Sequence, residues 1–305
     1  MVSARPIEKK TMSIFIVGCG YLGERVAQEL SKSGSAIHVL TRQPEKAEAF
    51  RGRGWIAHLG DWLDPHSLGT LPETDAALIA VSHRAVEGLP PQQTHVHGLE
   101  NLWKAWRGRV GRVVYISTTG VYSQDTGQWV DEDSICQPTR PGGIAALAAE
   151  HWLQNHVPSG QLTVLRMAGL YGPGRIPNAE RLKLKTSLQS SDHTFLNLLH
   201  IDDATHYSVE ALQIPHRESL YLVSDGTPIP RSTYYDFLAE RLGLPTSEPV
   251  VIESQTSGNS EIVTRPPRRS ESNKRISTKR LERDFSYRCR FPDFRNGIVA
   301  CGELT

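Results

Sequence analysis

Residues 13–32 read SIFIVGCGYLGERVAQELSK, and this stretch decides the fold. The apolar run at 13–17 has the composition of a buried strand, and a helical pattern covers 21–33. Between them lies GCGYLG (18–23), and a strand, a glycine-rich turn and a helix in that order make the G-x-G-x-x-G spacing informative. Gly18 permits the tight turn, Gly20 lets the backbone approach a pyrophosphate, and Gly23 lets helix and strand pack closely. Tyr21 and Leu22 lead into the helix, whose free N–H groups and dipole favour negative charge. An ordinary glycine-rich β–α turn would show the same letters; the βαβ pattern that follows favours a bound nucleotide.

Working outward, further apolar runs occur at 36–40, 55–59, 76–81, 112–117 and 162–167. Helical patterns separate them near 43–51, 92–107 and 143–156. Strands alternating with helices predict βαβ units, and right-handed crossovers make a doubly wound parallel sheet, the Rossmann fold, the economical arrangement. The expected organisation is an irregular leader over 1–11, a dinucleotide-binding domain over 12–172, and a smaller substrate-side region over 173–305 interleaved with the last strands. That last region holds helices near 202–212 and 231–242, a strand at 219–224, and a Pro- and Ser-rich loop at 245–272.

At 305 residues the chain is long enough to bury a sizeable core. Its 34 Lys and Arg nearly balance its 33 Asp and Glu, so no global field steers it toward nucleic acid or an anionic membrane, and the expected partner is a small molecule. No run approaches the roughly 18 apolar residues of a membrane span. The N-terminal residues do not read as a signal peptide, and the four cysteines form no C-x-x-C pair, which points to a cytoplasmic protein without a metal site. Residues 265–295 carry eleven Lys or Arg against four acids, but their interleaved aromatics read better as packing for a terminal segment than as a nucleic-acid surface.

The end of the second strand chooses between cofactors. An NAD site usually has an acidic residue there for the ribose 2′-hydroxyl. Here Thr41 and Arg42 stand in its place, and an Arg suits a 2′-phosphate, so NADP(H) is expected over NAD(H); a solvated Arg at a helix start is the alternative. Asp61 and Trp62 follow the third strand, where they can meet the adenine, although Asp61 could equally cap the helix that begins near Asp64.

Four motifs in order, GCGYLG (18–23), YISTTGVYS (115–123), LRMAGLYGPGR (165–175) and LLHIDDA (198–204), resemble the extended short-chain dehydrogenase/reductase group, the NAD-dependent epimerase/dehydratase family. The resemblance covers roughly 13–245 and extends to the tail at 275–298. It implies that Ala80, Val81 and Ser117 border the cofactor, that Thr118 orients a substrate oxygen, and that Tyr171 of the sixth-strand motif faces substrate. It also implies a homodimer through the helices near 92–107 and 143–156.

The resemblance breaks at one place. Family members carry Tyr-x-x-x-Lys at the start of the fifth-strand helix, as acid/base and as its pKa-lowering partner. Alignment on Leu147-Ala148-Ala149-Glu150 puts Gly142 and Ala146 at those positions, and no Tyr or Lys lies between 131 and 151. Thr119-Gly120 also replaces the Asp-Glu that dehydratases use. The pattern is that of an atypical branch that keeps the nucleotide fingerprint and loses the two catalytic side chains. Tyr122 is a candidate substitute acid, or else packs beside the pocket. His83, after the fourth strand, could titrate near a substrate, or be a plain loop histidine. Arg140 could bind an anion, or simply precede a helix started by Pro141. His95 and His97, two apart on one helix, make a poor metal pair.

Overall fold

The computed structural model describes residues 11–106, 108–183, 194–244 and 272–302. The expected loop at 245–272 and the leader therefore fall almost wholly outside the described residues. In chain order the elements begin β1 (Ser13–Val17), α1 (Gly23–Lys32), β2 (Ala36–Thr41), α2 (Pro44–Arg51), β3 (Ile56–Leu59), α3 (Pro65–Leu68), β4 (Thr74–Ile79), α4 (Pro91–Trp106) and β5 (Val110–Thr118). They continue with β6 (Gln128–Val130), α5 (Pro141–His156), β7 (Leu162–Met167), β8 (Gly169–Tyr171), α6 (Ala179–Lys183), β9 (Phe195–Leu196), β10 (Leu198–His200) and α7 (Ile201–Gln213). The last are β11 (Leu220–Val223), β12 (Ile229–Pro230), α8 (Arg231–Arg241), β13 (Lys274–Ile276), α9 (Lys279–Asp284) and α10 (Phe294–Ala300).

Seven strands form one sheet in the order β11-β7-β5-β4-β1-β2-β3, with the pairs β1·β2, β1·β4, β2·β3 and β4·β5 parallel. This is the doubly wound arrangement expected from the alternation of strand and helix. The strand order reverses between β1 and β4, where Val17 lies opposite Ile79, and ligands of such sheets bind beyond the carboxyl ends of the strands at that point. The fourth strand sits two residues earlier than its apolar run suggests, at 74–79 rather than 76–81. Ala80 has left the ladder, though its N–H still donates to Val17 O at 2.8 Å.

The described chain packs as two compact units. One takes the chain up to Thr118 with Arg140–Arg166 and Thr205–Tyr221; the other takes Thr119–Thr139, Met167–Ala204 and the residues from Leu222 on. The chain thus enters and leaves each unit more than once. In the first unit Phe15, Ile79, Leu99, Leu102, Trp106, Tyr115 and Leu153 belong to one buried cluster, which brings β1, β4 and β5 together with α4 and α5. Each fully buried aliphatic or aromatic side chain of this kind contributes about 1.5–3 kcal/mol.

The second unit has its own core around Tyr171, Leu198, Tyr234, Leu238, Phe294 and Ile298. Its basic tail is held by side-chain contacts. Lys274 Nζ donates to Tyr122 O at 2.9 Å, Arg275 lies over the Trp129 and Phe195 rings, and Arg280 pairs with Glu132 and Asp133. Asp203, fully buried, accepts from Tyr287 Oη and from the N–H groups of Arg290 and Phe291, so it anchors the tail. Among the described residues no helix is long and apolar enough to cross a membrane, and no group of three His, Cys, Asp or Glu is placed to hold a metal.

Candidate functional site

The carboxyl ends of β1, β2, β3 and β4 border an open cavity of about 310 Å³, entirely within the first unit. The GCGYLG turn forms one wall. Gly18 has φ +90, and a Cβ there would lie 2.5 Å from Ala80 O, so only glycine lets β1 turn beside β4. Gly23 is pressed against Gly18 O in the same way. Gly20 differs: its backbone lies outside the left-handed region, and among the described residues a Cβ would meet nothing within 4 Å. The fold itself has no need of a glycine at 20. What needs one is the space in front of it, the approach a pyrophosphate makes to such a turn. The α1 helix begins without a side-chain cap, Leu22 standing at the N-cap, and its positive end faces the turn. The residues present therefore fit a dinucleotide.

Opposite, Thr41 and Arg42 line the cavity at the end of β2. Thr41 Oγ1 accepts from Gln43 N at 3.2 Å, and Arg42 Nη1 pairs with Asp61 Oδ2 at 3.3 Å. Asp61 Oδ1 accepts from Leu63 N at 3.0 Å, while Asp64 caps the short α3 by accepting from His66 N; Asp61 is thus left to the cavity wall and is no cap. Lys46 and Arg84 line the same cavity and were not singled out by sequence reasoning. With Arg42 they give the cavity lining three cations beside the Asp61 carboxylate, which suits an anionic ligand. Trp62 lies flat against Gly98 of α4, where any side chain would strike the indole, and Asn101 Nδ2 donates to Trp62 O at 3.0 Å.

The floor is built by α4. Thr94 and His95 both line the cavity and are buried, and neither was a sequence candidate for it. His95 Nδ1 is 2.9 Å from Tyr115 Oη, and its ring meets Trp62 edge-on with centroids 5.4 Å apart. Burial pushes its pKa down to about 4, helped by nearby His83, so His95 is neutral at physiological pH. His83 Nδ1 stands 3.4 Å from Thr94 Oγ1, whose own proton goes to Pro91 O at 2.9 Å; His83 is the donor of that pair. Cys19, also on the wall, has its thiol pushed up to about 12 by burial.

The remaining sequence candidates fall elsewhere. Ala80 and Val81 line the cavity; Tyr21, Leu22 and Gly23 do not, Tyr21 lying under the Arg25 guanidinium. Ser117 is buried, and its hydroxyl donates to Glu150, which holds a buried ion pair with Arg166 at 2.6 Å. Thr118 ends β5, half-buried. Tyr122 is 1% exposed and its hydroxyl donates to Asp131 O at 2.8 Å, a packed position. Tyr171 is wholly buried in the second core against Gly297, and burial holds its hydroxyl protonated. Arg140 is the exposed N-cap of α5, with Pro141 at N1, as the helix-start reading has it. At Gly142, where the family Tyr would stand, the atom within 4 Å of a built Cβ is His83 Cβ at 3.6 Å. Ala146, where the Lys would stand, is 4% exposed.

A doubly wound sheet with a glycine turn at its switch point places the protein among the Rossmann-type nucleotide-binding folds. Within that class the chain belongs to the NAD dependent epimerase/dehydratase family, whose sequence profile matches residues 14–191. It is similar to Protein YeeZ of Escherichia coli (strain K12), 28% identical over 256 residues that span 82% of this chain and 90% of YeeZ. A functionally unknown conserved protein from Silicibacter pomeroyi DSS shares the fold at TM-score 0.74 with 26% identity, covering 95% of this chain and 98% of its own. The Bordetella bronchiseptica enzyme WbmG, solved in complex with NAD and UDP, superposes at TM-score 0.75 with 21% identity, over 96% of this chain and 95% of WbmG.

Proposed function

We propose that this chain binds NADP(H) in the cavity beside GCGYLG and acts as a reductase or epimerase-like enzyme on a small carbonyl or hydroxyl compound. The observation that carries the reading is the open space in front of Gly20, within a cavity that Arg42, Lys46 and Arg84 line. When bound, the dinucleotide supplies or takes the hydride. The backbone of the turn and the start of α1 receive the pyrophosphate, Thr41 and Arg42 hold the 2′-phosphate, and Thr118 polarises the substrate oxygen. The proton comes from water or from a residue outside the family pair, and His83, against Gly142, is this chain's candidate. Tyr122 then acts as a packing residue, its hydroxyl being committed to Asp131. The reading extends to a cytoplasmic homodimer through α4 and α5, which light scattering tests by mass.

A second reading is favoured by one specific observation: Gly142 and the buried Ala146 leave the family's acid and its partner absent. On that reading the chain binds the dinucleotide without turnover and reports redox state to a partner. The test is NADPH oxidation across a panel of carbonyl compounds, nucleotide sugars included. Oxidation that rises with one compound and falls at least tenfold in Thr118→Ala supports the enzyme; tight binding with no turnover on any of them supports the sensor.

A further inference from the structure

His95 carries a feature that neither the glycine turn nor the cation rim explains. It is 4% exposed, it lines the cavity, and its Nε2 has no hydrogen-bond partner among the described residues. The proton on that nitrogen follows from its neighbour. The Tyr115 hydroxyl is fully buried in β5, burial holds it protonated, and the hydrogen bond recorded for it is to His95 Nδ1. A buried hydroxyl gives its hydrogen to an acceptor, so Nδ1 is that acceptor and Nε2 carries the ring's N–H. Edge-on contact with Trp62 and the His83 ring 5.9 Å away fix the imidazole plane. An N–H donor is therefore held buried on a residue that lines the cavity, with no acceptor among the described residues, an unfavourable arrangement that a ligand oxygen would relieve.

We infer that His95 is a ligand-recognition residue of this cleft: Tyr115 locks it as the Nε2–H tautomer, and Nε2–H donates to an oxygen of the bound dinucleotide. The inference rests on the dinucleotide reading above and adds to it a contact from α4, an element that the glycine fingerprint does not include. Tyr115 acts through His95 and is a positioning residue.

Two substitutions separate recognition from packing. His95→Asn keeps an acceptor near the Nδ1 position for Tyr115 but removes the distal donor; His95→Gln keeps an N–H at the distal position. Fluorescence titration with NADPH, read beside thermal melts of the ligand-free proteins, is expected to show about tenfold weaker binding for His95→Asn with little change in midpoint. His95→Gln should bind nearer to wild type. Equal NADPH affinity in wild type and His95→Asn overturns the His95 assignment and leaves the dinucleotide reading standing. Equal losses in both variants, with lowered melting, also overturn it, because packing then accounts for the effect. Wild type that binds neither NADPH nor NADH overturns the dinucleotide reading itself.

Discussion

Two β–α junctions of the first unit, the GCGYLG turn and the start of α5, hold glycines for opposite reasons. At the turn, Gly18 and Gly23 are demanded by backbone packing, and Gly20 stands before open space. At the start of α5, a Cβ on Gly142 would, among the described residues, meet the flank of His83 at ordinary contact distance, and Ala145, Ala146 and Ala149 are buried in the helix that packs on α4. The turn keeps the glycine spacing and the open approach that suit a dinucleotide. The helix carries Gly142 and the buried Ala146 where the family resemblance puts a Tyr and a Lys. The glycine turn and the start of α5 are separable parts of this architecture: the chain keeps the first and lacks the Tyr and Lys that the family resemblance implies at the second.

The largest effect that would sharpen this contrast lies under the helix. Glu150→Leu should remove the carboxylate that pairs with the buried Arg166 guanidinium and destabilise the fold by about 3–5 kcal/mol, read from urea denaturation. A loss below about 1 kcal/mol would mean that the helix is not held from beneath. Next in size is the acid response of His95. Its folded pKa is depressed to about 4, so its neutral form contributes stability that is present above pH 6.5. As pH falls from 6.5 toward 4 the unfolded chain takes up the proton first, and about 3 kcal/mol should be lost over that window. His95→Asn should flatten that part of the stability curve, and an unchanged acid limb would show that His95 is not the group responsible.

Much of this was legible in the sequence where chemistry is local. The turn, the order of strands and helices, and the absence of Tyr and Lys at 142 and 146 follow from residues adjacent in the chain. The pairing of β6 with β13 joins Gln128 to Lys274 and Trp129 to Arg275, and no local pattern announces so distant a partner. His95 escaped for a different reason. Its two-residue spacing from His97 argued against a metal, but the informative spacing is forward, to Leu99, Leu102 and Trp106, which marks it as part of the buried face of α4. Lys46 and Arg84 lie on α2 and beyond β4, and only the fold brings them to the same cavity as Arg42.

The smallest expected effect runs the other way. Gly142→Ala adds a methyl group that finds only ordinary contact and replaces a poor helix former near the start of α5, so thermal denaturation should show a gain of about 0.5–1 kcal/mol. A loss of stability would mean that this glycine, too, is kept for something that approaches it.

The central claim is that the space in front of Gly20 is kept for a ligand, and Gly20→Ala tests it most directly. Titration with NADPH beside a thermal melt should show affinity reduced tenfold or more while the midpoint moves by no more than about 2 °C, because the added methyl meets no atom of the described residues within 4 Å. Unchanged NADPH affinity in Gly20→Ala would contradict the account.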